Sequence, residues 1–234
     1  RQEVKHLTGR LSYFKQFENL GKLSLQYDLQ WNQRFEFDVR RGEDIDRAAV
    51  DLELTTHNFV ASLESELNEV LNINTGINLI YQENVADPST GVRRLIPDYE
   101  QYTIGAFAIA DWTINDRLLF EAGLRFDYTL MDAFKFYRST FWEQRGYQEE
   151  FADIVVEDLG TQILANPELE FNNLAATAGF NYKIDDQYRL FFNYALASRA
   201  QMLRSCSAKA CTTVLQELSW EIFVLRARWP IAYR

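Results

Sequence analysis

Between residues 22 and 31 the side chains alternate without a break, Leu23, Leu25, Tyr27, Leu29 and Trp31 against Lys22, Ser24, Gln26, Asp28 and Gln30. Only an extended strand, whose successive side chains point to opposite faces, converts a period of two into one apolar and one polar surface. The pattern recurs at Leu118, Phe120, Ala122, Leu124, Phe126 and Tyr128, with Glu121, Gly123, Arg125 and Asp127 between them, and again at Leu174, Ala176, Ala178, Phe180 and Tyr182. Strands of about ten residues with this alternation have the length and dyad pattern of a tilted membrane-crossing strand. A half-buried strand of a soluble sheet alternates as well, so the connections must decide.

Those connections alternate between short and long. The pattern predicts a tight turn at Asn32 and Gln33, a strand over residues 34–40 carrying Phe35, Phe37 and Val39, and a charged loop over residues 41–47. A strand over residues 50–65 follows, with Leu52 and Leu54 and then Phe59, Ala61 and Leu63 outward. Its parity slips at Thr55 and Thr56, the signature of a bulge. Residues 66–71 connect it to a strand carrying Ile73, Thr75, Ile77, Leu79 and Tyr81, and a polar loop spans residues 83–98. Residues 102–112 and 118–130 pair through a turn at 113–117, the longest loop runs over 131–171, and 174–182 pairs with 188–196 through Asp185 and Asp186. About eight strands with this strict asymmetry fit an outer-membrane barrel, whose turns are short on one side and loops long on the other. A β-sandwich has no reason to sort its loops by side. Trp31, Phe35, Trp112, Phe120, Tyr182 and Tyr188 fall beside the short turns, where an aromatic girdle meets a membrane interface. The fold class expected is therefore all-β, part of an antiparallel up-and-down transmembrane barrel.

Composition supports this. Mean hydropathy is −0.30, and no apolar run approaches the roughly 18 residues that a spanning helix needs. A net charge of −10 argues against a nucleic-acid partner, which requires a basic patch. No motif for a phosphate loop, a zinc site or a catalytic triad occurs, so an enzyme is not expected. Of the two histidines, His57 lies at the parity slip and reads as an ordinary strand position. Glu149, Glu150 and Asp153 read as a solvated acidic loop, since calcium requires a denser oxygen set; neither a metal nor a cofactor is expected. Arg1 is not preceded by a methionine or a secretory signal, which for an exported barrel means that the beginning lies upstream.

Several motifs then appear in order. The run Glu121-Ala122-Gly123-Leu124-Arg125-Phe126-Asp127-Tyr128 resembles the "GLRYD" strand of TonB-dependent outer-membrane receptors. Asp87-Pro88-Ser89-Thr90-Gly91-Val92 with Leu95-Ile96-Pro97-Asp98-Tyr99 is similar to a receptor subgroup common in Bacteroidetes-type bacteria. Phe192-Asn193-Tyr194-Ala195-Leu196-Ala197-Ser198-Arg199-Ala200 resembles the strand entering that family's "F-R-A-P" box. The resemblance covers residues 20–200. It implies a barrel of about 22 strands occluded by a plug, which imports an iron-siderophore, haem or a similar nutrient across the outer membrane of a Gram-negative cell with energy from the TonB complex. Neither plug nor TonB box occurs in this sequence. The alternatives are a passive porin or adhesin barrel, needing no coupling partner, and a soluble β-sandwich binding module.

Within that frame, strand parity nominates Arg125, Asp127, Asn181, Lys183, Arg189 and Asn193 as facing the lumen or a plug, and places Phe107 and Ile109 on the same inner face. In the loop over 131–171, Tyr137, Arg138, Trp142, Arg145 and Tyr147 combine aromatic faces with guanidinium donors, which suits a planar catecholate or haem-like ligand. The competing reading is that these aromatics pack the loop on itself.

After Ala200 the pattern breaks. Gln201 stands where the family box has proline, and residues 201–234 hold both cysteines, Cys206 and Cys211. Restoring one nucleotide ahead of Gln201, with permitted codons, gives a reading that continues "PNASELF" and completes the family's "RAPNxxELF" box. The expected organisation is barrel over residues 1–200 and an irregular, out-of-frame tail over 201–234.

Overall fold

The computed structural model describes residues 1–37, 48–87, 97–199 and 215–226, the last of these and residues 198–199 by their backbone alone. The charged loop over 41–47, most of the loop motif between Asp87 and Tyr99, and the two cysteines lie outside the described residues.

Nine strands neighbour one another in sequence order: β1 (Gln2–Phe17), β2 (Gly21–Glu36), β3 (Val50–Asn68), β4 (Leu71–Ala86), β5 (Asp98–Asn115), β6 (Leu118–Arg138), β9 (Glu168–Lys183), β10 (Tyr188–Arg199) and β11 (Leu215–Arg226). All neighbours are antiparallel. Two short strands, β7 (Val155–Asp158) and β8 (Gln162–Ala165), lie off this path, β8 pairing with the end of β6. This is one stretch of an up-and-down transmembrane barrel wall. Strands β1 to β6 and β9 run well beyond the about 9–11 residues that cross a bilayer, from 16 residues in β1 to 21 in β6.

Short and long connections alternate without exception, and the short ones share a device. Asn68 accepts the amide of Val70 at 3.0 Å, Asn115 those of Arg117 and Leu118 at 2.9 and 3.0 Å, and Asp185 those of Gln187 and Tyr188 at 2.7 and 2.8 Å. Such side chains imitate a backbone turn at little cost. At the first turn Gly21 takes φ 101°, and a Cβ there would lie 2.0 Å from the carbonyl oxygen of Glu64. Only glycine satisfies both conditions.

Register sorts the side chains. One face carries cross-strand rows such as Thr75, Ala108, Leu124 and Ala176, and Ile77, Ala106, Phe126 and Leu174; the other carries Asn78, Gly105, Asp127 and Asn173. On the apolar face, Trp112, Phe120, Phe180 and Phe192 form one row beside the short turns, with Phe180 and Phe192 stacked 5.5 Å apart. Tyr27, His57, Tyr81, Tyr102 and Tyr128 form a second aromatic belt toward the long connections. The apolar stretch of β6 between Leu118 and Leu130 rises about 40 Å along the strand, or about 30 Å in height at the usual tilt, comparable with the apolar band of such barrels.

Several expectations need correction. Asn32 and Gln33 are not a turn: β2 runs straight through them, with Asn32 opposite His6 and Gln33 opposite Lys5. The short turn belongs at residues 18–20, because β1 precedes it. That strand was hidden since Lys5, Gly9 and Lys15 interrupt its apolar row while Val4 and Phe14 fall on the polar one. Trp31 and Phe35 consequently lie at the long-connection end, not with Trp112 and Phe120. β3 pairs β2 and β4 without a slip at Thr55 and Thr56, so Leu52 and Leu54 lie on the polar face; the irregularity is at Glu66 and Asn68, beside the turn. The loop over 131–171 is shorter and structured, since β6 continues to Arg138 and β9 begins at Glu168. The tail is not wholly irregular. Leu215–Arg226 pairs with β10 from Tyr188↔Arg226 to Arg199↔Leu215, in keeping with the alternation of Leu218, Trp220, Ile222 and Val224 with Glu217, Ser219 and Glu221.

Candidate functional site

The polar face is a continuous hydrogen-bonded wall. Arg125 grips Asp127 with two bonds, from Nε to Oδ2 and from Nη2 to Oδ1, each 2.7 Å, and Nη2 also donates to Asn78 Oδ1 at 2.7 Å. Two parallel bonds from a guanidinium fix orientation as well as charge. Room for this cluster comes from Gly105, opposite both Asn78 and Asp127, where a Cβ would lie 2.3 and 2.1 Å from their oxygens. Next to it, the ring of Phe107 covers Gly76, and the hydroxyls of Thr103 and Thr129 meet at 2.8 Å. Tyr99 donates to Gln82 Oε1 and Gln82 to Thr56, both at 2.9 Å. Toward β1, Arg10 and Gln26 donate to Asp28 at 2.5 and 2.7 Å, beside a cavity of about 660 Å³.

All six residues nominated by parity fall on this face. Arg125 and Asp127 form its central pair. Asn193 accepts a bond from Thr177 at 3.0 Å. Asn181 lies between Leu119 and Phe191, and Arg189 is opposite Lys183. Lys183 reaches back to the short turn, where its Nζ lies 2.6 Å from Asp186 Oδ1; the hydrogen bond and charge of that ammonium hold the Asp186 carboxyl below its ordinary range. Phe107 and Ile109 share the inner face with them. Sequence reading missed Asn78, Gln82, Tyr99, Arg10 and Asp28. The first three are placed by the same parity rule applied to β4 and β5; the Arg10 and Asp28 pair requires the register of β1.

Above this wall stands a cap built from the long connection. Helices α1 (Ser139–Gln144) and α2 (Tyr147–Glu150) are joined through Gly146 at φ 70°, and a 3-10 turn, Ala152–Ile154, leads into β7 and β8. Tyr137, Trp142, Tyr147, Ile163 and Ala165 form its core, with Phe151, Ile154 and Val155 packed against them. Trp142 stands 5.0 Å from Tyr137 and 5.2 Å from Tyr147 between ring centroids, and Tyr147 meets Phe151 edge-on at 5.2 Å. Along β6, Tyr137 shares its face with Ala133, Thr129 and Arg125, so the cap core grows out of the polar wall. Burial pushes the Tyr137 phenol up to about 12.

The aromatic surfaces expected to stack on a ligand are therefore turned on one another. Trp142 and Tyr147 are each 1% exposed and Tyr137 6%, which leaves no ring face for a guest. The loop has too many large apolar groups to remain solvated, and burying them against each other is the favourable solution. Of the nominated set, the two arginines remain at the surface: Arg138 at the end of β6, and Arg145 with its guanidinium carbon 4.5 Å from the Phe141 centroid.

This architecture matches known proteins. Residues 3–205 match the family described as TonB dependent receptor-like, beta-barrel. Among solved structures, the copper transporter OprC superposes with a TM-score of 0.62 at 14% identity, over 85% of this chain and 31% of its own. The FrpB iron transporter of Neisseria meningitidis gives 0.59 at 15%, over 86% and 30%. The ferric yersiniabactin uptake receptor FyuA of Yersinia pestis gives 0.53 at 10%, over 97% and 34%. The chain spans about a third of the length of these structures, and identities this low speak for the fold alone. A sheet of sequential antiparallel strands with one apolar and one polar face, alternating short and long connections, and a family match over most of the chain lead to one conclusion: this chain belongs to the TonB-dependent receptor β-barrel family.

Proposed function

We propose that the chain forms part of the wall of an outer-membrane transporter that takes up a scarce nutrient, such as a ferric siderophore, haem or another metal chelate, with energy delivered by the TonB complex through a plug seated against the polar face. The observation that carries this reading is the polar face itself. It holds a bidentate ion pair joined to Asn78, and the bonded pairs Thr103–Thr129, Tyr99–Gln82 and Arg10–Asp28. A polar face of this kind on a sheet whose other face is apolar suits the interior of a transmembrane barrel, where it meets water or a plug. The names of the solved relatives, copper, iron and ferric yersiniabactin transporters, support a metal or metal chelate as cargo. Arg138 and Arg145 are the residues of the cap that suit capture of an anionic chelate. Outer-membrane lipid covers the apolar face.

We assign residues 1–200 to this wall. Residues 201–234 we read as out of frame, supported by a family match that ends at residue 205; an uninterrupted reading frame in the gene, with codons that exclude the "RAPNASELF" string, overturns that part. The transport reading is tested by accumulation of radiolabelled ferric catecholate, hydroxamate and haem in iron-limited cells carrying an intact receptor that contains this segment. Uptake of one of them that disappears when TonB is deleted supports it, and uptake that persists without TonB identifies a passive pore.

A further inference from the structure

Toward β1 the polar face carries two adjoining rows. Register sets Arg10 opposite Asp28 and Asp28 opposite Asn58, and one step nearer the long connections it sets Thr8 opposite Gln30 and Gln30 opposite Thr56. These side chains line a cavity of about 660 Å³, within the range of about 300–1,000 Å³ that holds small ligands. Ile80, opposite Asn58, adds an apolar patch. Asp28 and Asn58 follow Tyr27 and His57 along their strands, so the cavity lies level with the aromatic belt nearer the long connections.

The charges of this lining cancel. Arg10 Nε donates to Asp28 Oδ1 at 2.5 Å, while Gln26 and Asn58 donate to Oδ2 at 2.7 and 3.4 Å, which holds the carboxylate in place. The Arg10 side chain is 67% exposed, so the N–H groups that Asp28 does not engage are open to the cavity. An anionic chelate calls for a surplus of cations, and a bare metal ion for a set of carboxylates or imidazoles; the lining offers neither. Its remaining polar groups, the carboxamides of Gln30 and Asn58 and the hydroxyls of Thr8 and Thr56, both donate and accept. So do the hydroxyls of a sugar ring. A charged donor beside a charged acceptor spans two neighbouring hydroxyls, and Ile80 suits the C–H face of the ring.

We propose that this cavity binds a neutral saccharide, free or as the glycosyl part of a larger cargo, with adjacent ring hydroxyls on Arg10 and Asp28 and further hydroxyls on Gln30, Thr56 and Asn58. This rests on the polar face lining a transport path, as proposed above, and narrows the cargo to one with a neutral, hydroxyl-rich part.

Saturation-transfer NMR on an intact receptor containing this segment, in a polyoxyethylene detergent that carries no sugar, tests it with maltotriose, cellotriose, mannotriose, a gallium catecholate and the same chelate bearing a glucosyl group. A saturable signal from a trisaccharide supports the site and identifies a free saccharide as its ligand; a signal from the glucosyl protons alone supports it and identifies a glycosylated chelate. Asp28→Asn should weaken the binding about tenfold, because it removes a charged acceptor, and Thr56→Val, which keeps the shape, about threefold. The absence of any sugar signal from the unaltered receptor overturns the proposal, and this result needs no variant to fold. So do sugar signals that both variants leave unchanged. Binding by the purified receptor involves no TonB, so a failure here is distinct from a failure of TonB-dependent uptake.

Discussion

Leu124 and Thr177 sit on adjacent strands of the same sheet and on opposite faces, which makes them a paired test of facing. Leu124 is 56% exposed on the apolar face and lies between Ala108 and Ala176. It is six positions from both Leu118 and Leu130, about 20 Å along the strand and about 15 Å in height, farther than an extended arginine reaches. Leu124→Arg therefore cannot bring its charge to either interface, and the cost belongs at the upper part of the about 2–4 kcal/mol found for a lipid-facing arginine at the midplane. Thr177→Arg places the same charge on the polar face. There it gives up a hydroxyl donor shared between Asn193 Oδ1 at 3.0 Å and the Tyr194 carbonyl at 3.3 Å, a loss of about 0.5–1.5 kcal/mol. Urea-driven unfolding of an intact receptor in phosphatidylcholine vesicles should separate the two variants by at least about 1 kcal/mol, with Leu124→Arg the weaker. Equal losses, or a greater loss for Thr177→Arg, would refute the assignment of faces.

Three further outcomes follow from the cap and the wall. Trp142→Ala removes the ring at the centre of the cap and should cost it about 3–5 kcal/mol, opening residues 139–167 to protease while the barrel stays heat-modifiable on gels; the Tyr147 hydroxyl is enclosed without a partner, so Tyr147→Phe should leave the cap as resistant as before or more so. The Tyr137 phenol, held neutral by burial up to about 12 against an ordinary 10.0, binds its proton more tightly when folded. The cap should thus be insensitive to alkali below about pH 10 and lose stability between about pH 10 and 12, read as near-ultraviolet dichroism that Tyr137→Phe preserves over that window. Gly105→Ala drives a methyl into the oxygens of Asn78 and Asp127 and should destabilise the wall by about 1–3 kcal/mol, whereas Gly9→Ala, with open space around its Cβ, should be close to neutral in the same unfolding assay.

Much of the wall was legible because a period of two is hard to disguise when one face is apolar and the other polar. β4, β5, β6, β9 and β10 could be read from their apolar rows, and the six polar-face residues followed from parity alone. Reading failed where the rows were mixed. Lys5, Gly9 and Lys15 mask β1, and without β1 the polar pair Asn32-Gln33 looks like a turn, whereas it lies within β2 and is paired on both sides. Leu52 and Leu54 suggested a slip because leucine was assumed to face outward, yet near the long connections the polar face also buries apolar groups, Leu52 among them. The cap was beyond parity altogether. Its aromatics follow neither period, and whether Trp142 and Tyr147 meet each other or a ligand depends on the turn at Gly146 and on β8 returning to pair with β6.

The disposition of the chain across the membrane is tested most directly by labelling single cysteines in intact cells with a membrane-impermeant maleimide, one at Arg145 in the cap and one at Asp186 in a short turn, both exposed. An outward cap and inward short turns predict that Arg145→Cys is labelled in intact cells and Asp186→Cys only after the outer membrane is permeabilised. Equal labelling of both in intact cells, or labelling of Asp186→Cys alone, would contradict the placement of this sheet as a transmembrane wall with its cap outside.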